Sequence, residues 1–199
     1  MIAEKVLKFL SEIETLKRVD HEGFKLSGVS KPHSVASHAA IASQIAYILG
    51  KLEKADAQKC ALIVLFHDNE GTRIGDHHKV ASRYIDMPEL EEKTEKDLYS
   101  SLGEIGKEIL SLQEEIRKRN AKEGIIAKDA DWLETALQAK VYSETGYKGC
   151  EDILDNVEKA LETKSAKEIL KAVRRNNDFV NYWWRGLKKM TYKKLEEQP

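Results

Sequence analysis

Residues 56–68 read DAQKCALIVLFHD, and the fold class turns on how this stretch is read. Its seven consecutive apolar residues, Cys60 to Phe66, fall far short of the roughly 20 that a membrane-spanning helix needs. A run of this length suits a buried strand as well as a buried helix, and periodicity does not separate the two. The surroundings do, because no neighbouring segment alternates apolar and polar residues as a partner strand would. With Asp56 as its N-cap, the stretch is read as a fully buried helix that runs into the pair His67-Asp68.

Working outward from it, the other segments also carry helical spacing. Val6, Phe9, Leu10, Ile13 and Leu16 give a first amphipathic helix. The segment DHEGFKLSGVSKPHS (20–34) breaks the pattern and reads as an ordered loop of the length that often carries function. Ser34 is the expected cap of a helix with the stripe Val35, His38, Ala42, Ile45 and Leu49, stopped by Gly50. GTRIGDHH (71–78) is a glycine-containing turn, and residues 79–86 begin a short helix that ends before Pro88. Residues 89–123 form one or two outer helices with the thin stripe Ile105, Ile109, Leu112 and Ile116, their charge run read as a solvated face. Gly124 precedes a helix whose face is Ile126, Ala130, Leu133, Leu137 and Val141. Helices near 153–161 and 166–173 follow, then the aromatic tail NDFVNYWWRGL. With no repeat, low-complexity stretch or linker, the expectation is one all-α domain spanning 1–199.

The composition excludes several classes of function. Acidic and basic residues, 34 and 33, nearly cancel. The chain therefore lacks the basic excess of a nucleic-acid binder, and no polynucleotide partner is expected. No segment suits a membrane, and the acid-containing N-terminus resembles neither a signal nor a transit peptide. Two cysteines 90 positions apart, in no metal spacing, suggest a reducing, cytoplasmic setting.

Four residues stand out for chemistry. His67-Asp68 places a carboxylate two positions after the end of an apolar run, where burial is costly unless a partner or a metal neutralises it. A helix end that simply exits into solvent explains the pair about equally well. His38 lies within an apolar stripe, where a lone histidine is more often a satisfied core residue than a ligand. Asp131 flanks the apolar face of a later helix and alone reads as solvated, as does Asp129. Together, His38, His67, Asp68 and Asp131 from three helices make a mixed nitrogen and oxygen set suited to one divalent transition metal (Mn, Co, Ni, Fe or Zn), with positions left open for catalysis. His77 and His78 read as a solvated turn rather than as further ligands. Trp132, Trp183 and Trp184 read as packing or subunit-interface residues.

PHSVASHAAIASQIA, LFHDNEGTRIGDHHKVASRY and AKDADWLE, taken in order, resemble the HD-domain metal-dependent phosphohydrolases, in particular their 5'-deoxynucleotidase branch. The resemblance implies that His38, His67, Asp68 and Asp131 ligate one metal and that Asp76 lies in the active site. It places a glutamate at Gly71, a role that passes here to Glu70. The family's Pro-Glu-Ser-Val-Ala-Glu-His stands here as Pro32-His33-Ser34-Val35-Ala36-Ser37-His38, with both glutamates lost. Phe24 occupies the position of a tryptophan associated with sugar selectivity, so it is expected against the substrate. The arginine before that tryptophan is Gly23 here, which leaves Arg18, Arg73 and Lys79 as candidates to bind phosphate. The implied activity is hydrolysis of a deoxynucleoside 5'-monophosphate by a homodimer. The alternatives are a phosphohydrolase acting on a triphosphate or cyclic nucleotide, and a catalytically silent nucleotide-binding module.

Overall fold

In the computed structural model, residues 1–185 are described. The helices are α1 (Ile2–Ile13), α2 (Val35–Leu52), α3 (Ala57–Phe66), α4 (Gly71–Ile74), α5 (Met87–Tyr99), α6 (Glu104–Lys118), α7 (Lys122–Glu144), α8 (Glu151–Ala160), α9 (Lys164–Arg175) and α10 (Phe179–Tyr182). Among the described residues there is no strand, only an isolated bridge between Asp20 and Ser34. None of the described helices is long and apolar enough to cross a membrane. The last residues of the aromatic tail, Gly186 and Leu187, lie outside the described residues.

The apolar run is helix, as expected. α3 starts at the Asp56 cap, whose Oδ1 accepts the Lys59 N–H at 3.0 Å. It packs against α2 and α7, and Cys60, Ile63 and Val64 are fully buried. Around these three helices the main core gathers Ala42, Ala46, Leu49, Ile126, Ala130 and Leu133, closed below by α8 and α9 through Leu154 and Leu170. A smaller cluster of Leu98, Tyr99, Leu102 and Ile109 seats α1 against α5 and α6.

Three helix boundaries differ from the sequence reading, each for a local reason. Gly50 does not end α2, which continues to Leu52; it marks where α3 approaches so closely that a Cβ would lie 2.6 Å from the Ala57 Cα. Gly124 likewise sits inside α7, where a Cβ would lie 2.3 Å from the Glu115 carbonyl oxygen of α6. Pro88 stops nothing, because only a 3-10 turn at Ala81–Arg83 precedes it and it occupies the first turn of α5 behind the Asp86 cap. A missing N–H costs nothing at that position. The charge run at 89–123 is only partly a solvated face: Glu95 and Gln113 are buried while Ile105 of the expected stripe is exposed.

Asp129, read from sequence as a surface charge, is fully buried. Its carboxylate accepts the Glu162 N–H at 3.0 Å, the Thr163 N–H at 2.6 Å and the Thr163 hydroxyl at 2.7 Å, tying the start of α9 to the middle of α7. Asp129→Ala orphans two backbone donors and should cost about 3 kcal/mol. For a chain of this size that is a fall in Tm of about 10 °C. A thermal melt within 2 °C of wild type would remove Asp129 from the structural frame.

Candidate metal centre

Three elements deliver the four candidate ligands. His38 lies in the second turn of α2, whose start is fixed by the Ser34 cap accepting the Ser37 N–H at 3.3 Å. His67 and Asp68 follow directly on the last turn of α3, and Asp131 faces them from the middle of α7. Their near atoms converge: His38 Nε2 is 3.2 Å from Asp131 Oδ1 and 3.7 Å from Asp68 Oδ2. His67 Nε2 is 3.2 Å from Asp68 Oδ2 and 3.6 Å from Asp131 Oδ1. An ion about 2.1 Å from each donor sets its ligands about 3.0–3.4 Å apart, close to these separations.

The far side of each imidazole fixes its tautomer. His67 Nδ1 donates to the Val64 carbonyl at 2.7 Å, and His38 Nδ1 donates to Glu134 Oε2 at 2.5 Å. With the proton on Nδ1, each Nε2 presents a lone pair inward, the arrangement in which histidines ligate metals. His67 Nε2 is moreover buried without any hydrogen-bond partner. An orphaned, inward-facing nitrogen among carboxylates fits a cation.

The electrostatics agree. Burial opposes charge on His38, but Asp131 and Glu134 outweigh it and raise its pKa well above the ordinary value. Asp68 and Asp131 do the same for His67 against its burial. Burial pushes the Asp131 carboxyl up, yet Lys128 and the two imidazoles hold it well below the usual range. The pocket is strongly anionic at the point where the imidazole nitrogens meet.

Glu70 and Asp76 lie close by in different surroundings. Glu70 is buried with Oε2 unpartnered, and burial together with the Asp68 charge raises its pKa well above normal. Asp76 is not the cap of a following helix. Its Oδ2 accepts the Glu22 N–H at 2.6 Å across the loop. Burial and Asp68 raise its pKa, while His21 and the N–H groups of Glu22 and His77 work the other way.

The proposed substrate contacts fare less well. Phe24 is only 1% exposed and sits in the main core, its ring edge-on to Tyr142 and His21. No substrate meets it in this conformation. Phe24→Ala is therefore expected to cost about 3–5 kcal/mol of stability. It should leave the deoxy-to-ribo preference of the folded fraction unchanged, and a narrowed ratio at unchanged Tm would return Phe24 to the substrate. Arg18 is exposed and paired with Glu14 at 2.8 Å. Arg73 is forked onto Glu12 of α1, Nη2 lying 3.1 Å from Oε2, so it clamps α1 to α4. Lys79 acts on Glu91, a carboxylate that Asp68 also influences.

A cavity of about 260 Å³ opens beside the centre, lined by His67, Asp68, Glu70, Glu91, Arg117 and Lys128 among others. Its cations escaped the sequence reading. Lys128 Nζ grips Asp131 Oδ2 at 2.7 Å, and Arg117 pairs with the buried Glu95. Glu134, the partner of His38, was also missed, although its spacing of three after Asp131 puts both on one face of α7.

Residues 13–178 match the family model of the HD domain. The chain is 30% identical over 148 residues to a Dictyostelium discoideum protein named 5'-deoxynucleotidase HDDC2, covering 69% of this chain and 75% of that one. The human protein of the same name is 28% identical, covering 73% and 72%. Among solved structures, a conserved hypothetical protein of Pyrococcus furiosus superposes with a TM-score of 0.73 at 30% identity, covering 85% of this chain and 99% of that one. The inward Nε2 pair and the two carboxylates thus stand in the fold that the family model describes, and the chain belongs to the HD-domain family.

Proposed function

We propose that this chain hydrolyses deoxynucleoside 5'-monophosphates to deoxynucleoside and phosphate at the centre formed by His38, His67, Asp68 and Asp131. The observation that carries the reading is the convergence of two lone-pair imidazole nitrogens on two carboxylates beside a cavity lined by cations. The relatives named as 5'-deoxynucleotidases supply the substrate class.

A divalent ion held by these four residues supplies Lewis-acid polarisation of a phosphoryl oxygen and a more acidic water. Lys128 stands at the edge of the cavity next to Asp131, where an ammonium offsets charge building on the phosphoryl oxygens. Glu70 and Asp76 divide the proton work because their surroundings separate them. Glu70, driven strongly toward its neutral form, is the proton donor to the departing 5'-oxygen. Asp76, whose anion is supported by two backbone N–H groups and His21, accepts the proton of the attacking water.

Both cysteines are free and buried, which suits a reducing, cytoplasmic compartment. Ile41 and Ile48 on α2 and Leu62 and Leu65 on α3 are exposed apolar side chains on adjoining helices, and we assign this surface to a homodimer.

The deciding experiment is a metal-by-substrate screen of chelator-stripped protein. Phosphate release is scored with each of Mn, Co, Ni, Fe and Zn on deoxy- and ribonucleoside monophosphates, triphosphates and cyclic nucleotides. Release from deoxynucleoside monophosphates above all others is expected. Nucleotide binding without release, or release confined to triphosphates or cyclic nucleotides, would overturn the proposal.

A further inference from the structure

Behind His38, on the side away from the other three candidate ligands, lies a second gathering of donors. The bridge between Asp20 and Ser34 brings the two ends of the 20–34 loop together, and the His21 N–H donates to the His33 carbonyl at 3.0 Å. This juxtaposes the two side chains, with His21 Nδ1 and His33 Nε2 3.2 Å apart. Glu134 of α7 reaches the same point, its Oε2 lying 3.9 Å from His33 Nε2. Donor atoms of His21, His33, His38 and Glu134 all fall within 4.8 Å of one another.

Two imidazole nitrogens that face each other at 3.2 Å either share one proton or direct both lone pairs at a common cation. Tyr142 bears on which of these holds. Its hydroxyl accepts the His33 backbone N–H at 2.9 Å and lies 3.4 Å from His33 Nδ1. A proton on Nδ1 has that oxygen to donate to, which frees Nε2 as a lone-pair donor, the same device that fixes His38 and His67. Neutral imidazole is the form that binds metal. Glu134 contributes the anion, because a carboxylate oxygen that accepts one hydrogen bond from His38 keeps a further lone pair.

We propose that His21, His33 and Glu134 form a second divalent-metal site, separate from the His67-Asp68 centre and joined to it through the His38 imidazole. Two nitrogens and one oxygen with an open fourth position suit a tetrahedral ion of the zinc class. Such an ion holds Glu134 against His38 and so fixes the orientation of a ligand of the first centre.

The test is metal stoichiometry, independent of any substrate. Chelator-stripped full-length protein is titrated with Zn²⁺, freed of excess metal by gel filtration and measured by elemental analysis. Wild type should bind two equivalents. His67→Ala should retain one, whereas His21→Gln and His33→Gln should each retain only the equivalent that His67→Ala loses. Saturation of wild type at one equivalent would overturn the proposal even if the variants fold poorly. So would a second equivalent that survives in the His21→Gln, His33→Gln double variant or disappears in a His77→Gln, His78→Gln variant. The His67→Ala arm keeps failure of the first centre distinguishable from failure of the second.

Discussion

His67→Ala should remove bound metal and turnover together. In the proposed centre the imidazole contributes one of four donors, and its Nε2 has no other partner to satisfy. Loss of the metal's stabilisation of transition-state charge, worth several kcal/mol, lowers kcat by on the order of a thousandfold or more. The fold should survive, because His67 follows the last turn of α3 and its Nδ1 bonds only to the Val64 carbonyl within that turn. In chelator the variant should therefore melt close to wild type. The difference appears on adding metal. At a hundredfold excess over Kd, an ion bound only by the native state contributes about 2.7 kcal/mol. That raises the wild-type Tm by roughly 5–10 °C. His67→Ala should lose the part of this rise that belongs to the first centre. A variant that keeps the full metal-dependent rise and most of its turnover would show that His67 is not a ligand.

The same four residues also show how far the sequence could be read. His67-Asp68 announced itself because a carboxylate followed seven apolar residues, and His38 because it interrupted an apolar stripe. Both signals are violations of a local hydrophobic pattern, and such violations are visible along one element. Lys128 and Glu134 violate nothing visible. In AKDADWLETALQ they look like charges of a solvated helix, and only the packing of α2 and α3 against α7 shows that this face is covered. Asp129 carries the opposite lesson. One residue of the same dense cluster is bound to the start of α9 and has no part in the metal centre. Glu95 and Arg117 are hidden in the charge run for a related reason, since a part-buried ion pair between α5 and α6 has the same composition as two surface charges. The pairing of His21 with His33 needed the Asp20–Ser34 bridge, a long-range contact across a loop that leaves no periodic trace. Phe24 erred in the other direction. The family position reads as a substrate contact, but burial behind His21 and against Tyr142 puts the ring in the core.

Asp76→Asn separates proton transfer from everything else Asp76 does. The carboxylate accepts the Glu22 N–H, and an asparagine Oδ1 in the same place accepts it equally, so the 20–34 loop keeps its anchor. What asparagine cannot do is take a proton from water. Loss of a positioned general base lowers kcat by on the order of a hundredfold or more. Metal content and Tm should stay near wild type. Glu70→Gln is the matched comparison, because the proposed mechanism has Glu70 act in its neutral form and glutamine removes the transferable proton while keeping the shape. The two variants should also differ in pH profile, and the sign follows from the form that works. In the proposed mechanism Asp76 is active as the anion, so its limb should rise as pH climbs through its raised pKa, and Asp76→Asn should flatten the acid side. Glu70 is there the acid, so its limb should fall as pH passes through its strongly raised pKa, and Glu70→Gln should flatten the alkaline side. If Asp76→Asn keeps most of its turnover while Glu70→Gln flattens both limbs, Asp76 serves only as the loop's hydrogen-bond acceptor. The buried carboxyl of Glu70 would then carry both proton transfers.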